Sequence, residues 1–215
     1  MTTVMNPPSP SPSPSRRVLT PRERMVRSAA QLIRTKGVSG TGVREVVAHA
    51  GAPRGSLQHY FPEGKDQLVT EALLWMGGVA ARRVGRALDR ASDRVPSVLL
   101  AELASDWRDE FLSQGYDGGC PLVAAASDVA ATSAGLRTAI GRAFDAWQEP
   151  LAAALVECGI PVRRAPALAV VVISALEGAI VLARTRHDPA PLDAVVDELG
   201  PFLDGAATRR RQAHQ

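Results

Sequence analysis

Residues 41–61 read TGVREVVAHAGAPRGSLQHYF. Thr41 is placed to cap a short helix in which Val43, Val46, Val47 and Ala50 recur on one face. Gly51 stops that helix, and Pro53, whose fixed φ suits a first helical position, starts another at once. Leu57 and Phe61, four apart, give this next helix its buried face. Upstream, Thr20-Pro21-Arg22-Glu23 reads as a helix start, with Thr as N-cap, Pro at N1 and Glu at N3 closing a capping box. Met25, Ala29, Leu32 and Ile33 follow at helical spacing until Gly37, a left-handed stop. A longer helix followed by two short ones around a tight turn is a helix-turn-helix.

With Leu57 and Phe61 inward, Arg54, Gly55, Ser56, Gln58 and His59 fall on or beside the outer face. Gly55 lets a helix approach a groove closely, because no side chain stands it off. Arg54 can fork onto guanine or grip phosphate, and Gln58 can pair with adenine edges. Ser56, Tyr60 and Lys65 suit phosphate oxygens, and Lys65 opens the following helix, whose amides also attract anions. Charge supports the same partner, double-stranded DNA. Residues 16–65 hold ten Lys/Arg against three Glu, a net of +7, whereas residues 66–215 hold 15 bases and 19 acids, a net of −4. A basic head on an acidic body is the footprint of a polyanion-binding module.

The 215 residues are 46% hydrophobic and only 4% aromatic, so Ala, Val and Leu supply the core and favour helix over sheet. An all-α chain is expected. Residues 1–19, rich in alternating Pro and Ser, lack both a secretory pattern and the apolar content to fold, and are expected to be disordered. No stretch reads as a membrane span; Ala165–Ala183 comes closest, but Pro166 and Glu177 mark it as a buried helix. Two cysteines, Cys120 and Cys158, give no disulfide framework, and a cytoplasmic protein is expected. Neither a catalytic motif nor metal-ligand spacing among His49, His59, His187 and His214 is present, so neither an enzyme nor a cofactor or metal is expected. Cys120, placed just before Pro121, is the single reactive candidate. At a helix N-cap the dipole can lower its thiol pKa and support redox sensing or thiol catalysis; a plain capping role is the alternative.

Beyond the head, helical patterns run from Lys65 to about Asp89, Ser97–Gln114, Pro121 to near Ala131, Ser133–Cys158 with Pro150 inside, Pro161–Arg186 and Pro191–Ala206. Trp75, Trp107, Phe111, Phe144 and Trp147 are either large core residues or the walls of a pocket for a flat, lipophilic ligand. Glu177, inside VVVISALEGAIVLA, has three candidate roles: facing a cationic ligand, accepting hydrogen bonds at a dimer seam, or reaching Arg184. The expected division is a tail (1–19), a DNA-binding head (20–67), an effector-binding and dimerisation body (68–206) and a basic tail (207–215).

The stretch from Thr20 to about Leu88, with its capped first helix, Gly37, TGVREVVAHAGAPRGSLQHYF and Lys65, resembles the TetR family of bacterial transcription regulators. FPEGKDQL, GGCPL and SALEGAIVLAR are similar to its LmrA/YxaF-type subgroup, often tied to drug-efflux genes. Pro53 stands where that family commonly has Ser or Thr, and Gln58 where it has an aromatic. The resemblance implies a homodimer formed by the last two helices, a palindromic operator and a small-molecule effector that releases a repressor from DNA.

Overall fold

The computed structural model of the protein describes residues 18–53, 55–91 and 93–207, and among them every regular element is an α-helix. In chain order these are α1 (Pro21–Lys36), α2 (Val43–His49), α3 (Ser56–Tyr60), α4 (Lys65–Arg90), α5 (Pro96–Gln114), α6 (Pro121–Val129), α7 (Ala134–Glu157), α8 (Ala165–Arg186) and α9 (Ala190–Ala206). The all-α expectation holds. Arg54 and nearly all of both expected tails lie outside the described residues.

The capping box of α1 forms as read. The Glu23 amide donates to Thr20 Oγ1 at 3.2 Å, and the Thr20 amide donates to Glu23 Oε2 at 2.9 Å. Gly37, at φ 71°, ends the helix with its amide bonded to the Ile33 carbonyl. Two local readings need correction. Thr41 does not cap α2: its hydroxyl donates to the Gly37 carbonyl at 2.6 Å, the side chain is buried, and Gly42 takes the cap position. Pro53 does not start α3 either. Its carbonyl accepts from the Ser56 amide and hydroxyl, closing a turn, and Gly55 at φ 92° forces the helix to begin only at Ser56.

Met25, Ala29, Ile33, Val46 and Phe61 form the buried centre of the head, and α1 also packs on α4 and α6. Leu57 is half-buried against this core, a shallower position than its spacing with Phe61 suggested. Helix α4 runs out of the head into the body, where its most extensive partner is α7. A Cβ on Gly77 would come 2.7 Å from the Ala143 carbonyl oxygen and 2.9 Å from its Cα, so the two backbones meet where only glycine fits. Ser133 caps α7 through the Leu136 amide at 3.2 Å. Residues 161–164 turn, the Arg164 amide reaching the Pro161 carbonyl at 2.8 Å, so α8 starts later than its first proline.

Contrary to the sequence reading, α8 is long and apolar enough to cross a membrane by length and composition. Its inward face, including Leu168, Val172, Leu176, Ile180 and Ala183, is instead buried in the body. It packs between α7 and α9, and α9 in turn covers α5.

The α4–α7 contact sets a first test. Gly77→Ala forces the new methyl into the Ala143 backbone and is expected to cost about 1–3 kcal/mol, read as an earlier midpoint in urea unfolding at fixed protein concentration. Gly85→Ala, on the same helix with open space around it, is expected to hold or slightly raise stability.

Candidate DNA-binding and effector sites

The short α3 buries none of its side chains. Gly55, Gln58 and His59 are exposed, while Ser56, Tyr60 and Lys65 are half-exposed, so these six share an accessible end of the head. His59 and Tyr60 meet edge to face with ring centroids 4.6 Å apart. The Gln58 amide donates to the Pro62 carbonyl at 3.3 Å, a long bond that a base edge can replace. Lys65 is the first residue of α4, behind Gly64 at φ 79°, which brings its amine to the start of that helix. Thr41, assigned to this surface from sequence, is buried away from it.

In the body, a cavity of about 40 Å³ lies between α4, α5, α6, α7 and α8. Trp107, Trp147, Met76, Leu122 and Leu176 give its apolar walls, and Arg34, Arg83, Asp106 and Cys120 its polar ones. Trp107 and Trp147 therefore meet at one place. Trp75 does not join them, which corrects that assignment. The cavity face of α4 is Met76, Val79, Ala80 and Arg83, and Trp75 lies off that phase in a groove with Val26 and Arg27, the Arg27 guanidinium 5.4 Å from its ring centre. Phe111 is buried behind the wall, 6.1 Å from Trp107 and stacked at 4.9 Å on Tyr116. Phe144 is half-buried against the core and is not a lining residue.

Beside this cavity lies a charged cluster that the sequence reading missed. Glu110 of α5, buried, pairs with Arg83 of α4 at 2.6 Å and with Arg34 of α1. Arg34 Nε also donates to the Gly119 carbonyl at 2.9 Å, and both guanidiniums lie over Trp107, at 5.8 Å for Arg34 and 4.9 Å for Arg83. Burial pushes the Glu110 carboxyl up, but the charges and hydrogen bonds of Arg34 and Arg83 outweigh it and hold the group below its ordinary value. A readable signal existed: Leu103, Trp107, Glu110 and Phe111 share one helical face, so a carboxylate stands where an apolar residue belongs. A second tie joins head and body. Asp128 of α6 accepts from the Ser39 amide at 2.6 Å and from its hydroxyl at 2.7 Å.

Glu177 is buried on the inner face of α8, which removes the seam role, and Arg184 packs beside Gly119. The Cys120 thiol is a weak donor to the carboxyl, while no hydrogen bond of good geometry reaches either oxygen. Burial raises Glu177 to about 7, against the thiol and the Arg83 charge. Cys120 does stand at the N-cap of α6, yet burial, and then the charge of Glu177, push its thiol well above the ordinary value. The amides of Val123 and Leu122 act the other way and lose. The expected lowering by the helix is overturned, because desolvation of a thiolate exceeds what two amides return.

A helix-turn-helix head carried on an all-helical body defines a DNA-binding regulator. The chain belongs to the TetR family of bacterial regulatory proteins, whose model matches residues 26–72, and residues 96–198 match the C-terminal domain of LmrA/YxaF-like transcriptional regulators. A helix-turn-helix-type transcriptional regulator of Mycobacterium tuberculosis is 42% identical over 188 residues, 85% of this chain and 94% of the relative. The regulator YxaF of Bacillus subtilis is 31% identical, over 83% of this chain and 92% of its own. A TetR regulator of Legionella pneumophila has the same fold, with a TM-score of 0.72 at 20% identity over 89% of this chain and 99% of that one. These relatives are transcriptional regulators, not enzymes.

Glu177 gives a pH test. Its native pKa lies above the ordinary 4.5, so the folded state binds the proton more tightly than the unfolded chain. The burial cost is therefore absent below about 4.5, grows as pH rises, and is complete above about 7. Glu177→Gln is expected to match the parent near the lower limit and exceed it at alkaline pH, by on the order of 3 kcal/mol. Urea unfolding across pH at one protein concentration measures this. Cys120 is expected to resist iodoacetamide in the folded protein and react on unfolding.

Proposed function

We propose that this regulator is a dimeric repressor released from its operator by a lipophilic, aromatic effector bound between Trp107 and Trp147. The observation that carries the reading is the position of that cavity. Arg34 and Arg83 line it, and the same two side chains join α1 and α4 to α5 through Glu110. At about 40 Å³ the cavity holds about one water, so an aromatic ligand must push its walls apart. One wall is α4, the continuation of the head. A ligand that binds only the widened form draws the equilibrium away from the closed form by its difference in affinity, and a few kcal/mol gives strong release.

Dimerisation is supported by α8 and α9. Val170, Val171, Val181 and Leu182 remain 44–48% exposed on one stripe of α8, and Phe202 of α9 is 53% exposed. Such a stripe on a soluble body calls for a partner, and a two-fold pair lets two short recognition helices read half-sites spaced by whole helical turns. A dimer seated on promoter DNA excludes polymerase, hence repression. The proposed units are residues 20–67 for DNA and 68–206 for effector and dimer, in a cytoplasmic protein with an efflux or detoxification gene as target.

Arg54→Ala, Tyr60→Ala and Lys65→Ala are each expected to weaken operator binding without dissociating the dimer. Lys65→Ala is expected to act equally on all sequences and to lower the salt slope by about one. Gln58→Ala is expected to relax base preference instead. Fluorescence anisotropy with operator and scrambled duplexes reads both, and unchanged affinity in all four variants rejects the assignment. Trp147→Ala is expected to weaken effector binding by tenfold or more while sparing DNA affinity, whereas Trp107→Ala, which also takes the ring from Arg34 and Arg83, is expected to alter both.

A further inference from the structure

The hydrogen-bond inventory around the Trp107–Trp147 cavity is lopsided. Its basic groups are engaged: Glu110 holds Arg34 and Arg83, the Gly119 carbonyl takes a further Arg34 donor, and the ring of Trp107 lies under both guanidiniums. Its acceptors are not. Asp106, a lining residue, bonds Arg90 through Oδ1 at 2.8 Å, while its Oδ2 is buried without a hydrogen bond. Glu177, only 7% exposed, has for its two oxygens no donor but the weak one of the Cys120 thiol, and Cys120 forms part of the cavity wall. Three buried carboxyl oxygens in and beside one largely apolar cavity lack a strong donor, and each such shortfall costs free energy that a ligand can return.

We infer that the effector is a lipophilic amine, an apolar and preferably aromatic body carrying a protonated nitrogen whose N–H groups are taken by Glu177. This rests on the reading of the Trp107–Trp147 cavity as the effector site. Tryptophan walls suit both parts of such a molecule, since an indole face attracts a cation as well as an apolar surface. A neutral hydrocarbon would fill the volume and leave the acceptors orphaned. A carboxylic acid would add a third carboxyl beside these two. Neither answers the polar half of the site.

The test compares three molecules with one ring system: naphthylmethylamine, methylnaphthalene and naphthoic acid. Binding to the full chain is followed by tryptophan quenching and by isothermal titration, and operator release by anisotropy. In the parent protein the amine is expected to bind at least tenfold more tightly than methylnaphthalene, and the acid more weakly than both. In Glu177→Gln the amine is expected to lose tenfold or more while methylnaphthalene keeps its affinity, which shows the cavity intact. Asp106→Asn is expected to cost the amine less. Methylnaphthalene binding as tightly as the amine, an amine indifferent to Glu177→Gln, or naphthoic acid binding tightest would overturn the amine and leave the cavity as effector site. Failure of all three to quench or bind would overturn both readings.

Discussion

A single carboxylate holds two guanidiniums from different helices at the junction of head and body. Removing Glu110 from water is unfavourable, and the attraction of Arg34 and Arg83 has to exceed that cost for the group to stay ionised. Because one acid serves two bases, the cluster keeps an excess positive charge, and the face of Trp107 lies against both cations. None of the four side chains can move far without exposing an unmatched charge or stripping a cation from its ring. The relative placement of α1, α4 and α5 follows from this, and so does the closed state of the cavity they border.

How much of this the sequence showed differs between head and body for a physical reason. The head is governed by local rules. The Thr20–Glu23 box, the stop at Gly37 and the burial of Val46, Val47 and Phe61 all follow from neighbours within a few positions, and these read correctly. Its errors are local too: Pro53 fits a first helical position, yet Gly55 in the left-handed region overrides it, and Thr41 turns back to Gly37 rather than forward. The body depends on residues far apart in sequence. Trp107 and Trp147 meet and Trp75 does not, a matter of α4's rotational phase against helices that come later in the chain. The pairing of Arg34 with Glu110, or Ser39 with Asp128, is invisible to periodicity because each partner is polar and could as well be solvated.

The cysteine and the glutamate beside the cavity show how burial reverses an inference drawn from position alone. An N-cap thiol near a helix dipole is a sound candidate for a reactive thiolate in water-accessible surroundings. Beside a buried carboxyl the same thiol keeps its proton, and the carboxyl, short of donors, is drawn toward its neutral form. Glu177 raises the cost of ionising the thiol, whereas the thiol, as a donor, partly offsets the burial cost of the carboxylate. The pair itself thus tends toward its uncharged forms, beside the charged cluster of Glu110, Arg34 and Arg83.

The head is fastened to the body along α4, which also takes the Arg22–Glu71 and Arg27–Trp75 contacts, by Arg34 on Gly119 and Glu110 before α6, and by Ser39 on Asp128 near the end of α6. A rigid object pinned at three separated points cannot rotate, and freeing one pin leaves a hinge through the other two. The two contacts flank most of α6, whose nine residues run about 13 Å, a short lever arm beside the length of α4. Which pin lets go selects the axis of swing. Loss of either α6 contact alone would therefore leave the head an axis through α4 and the contact that remains.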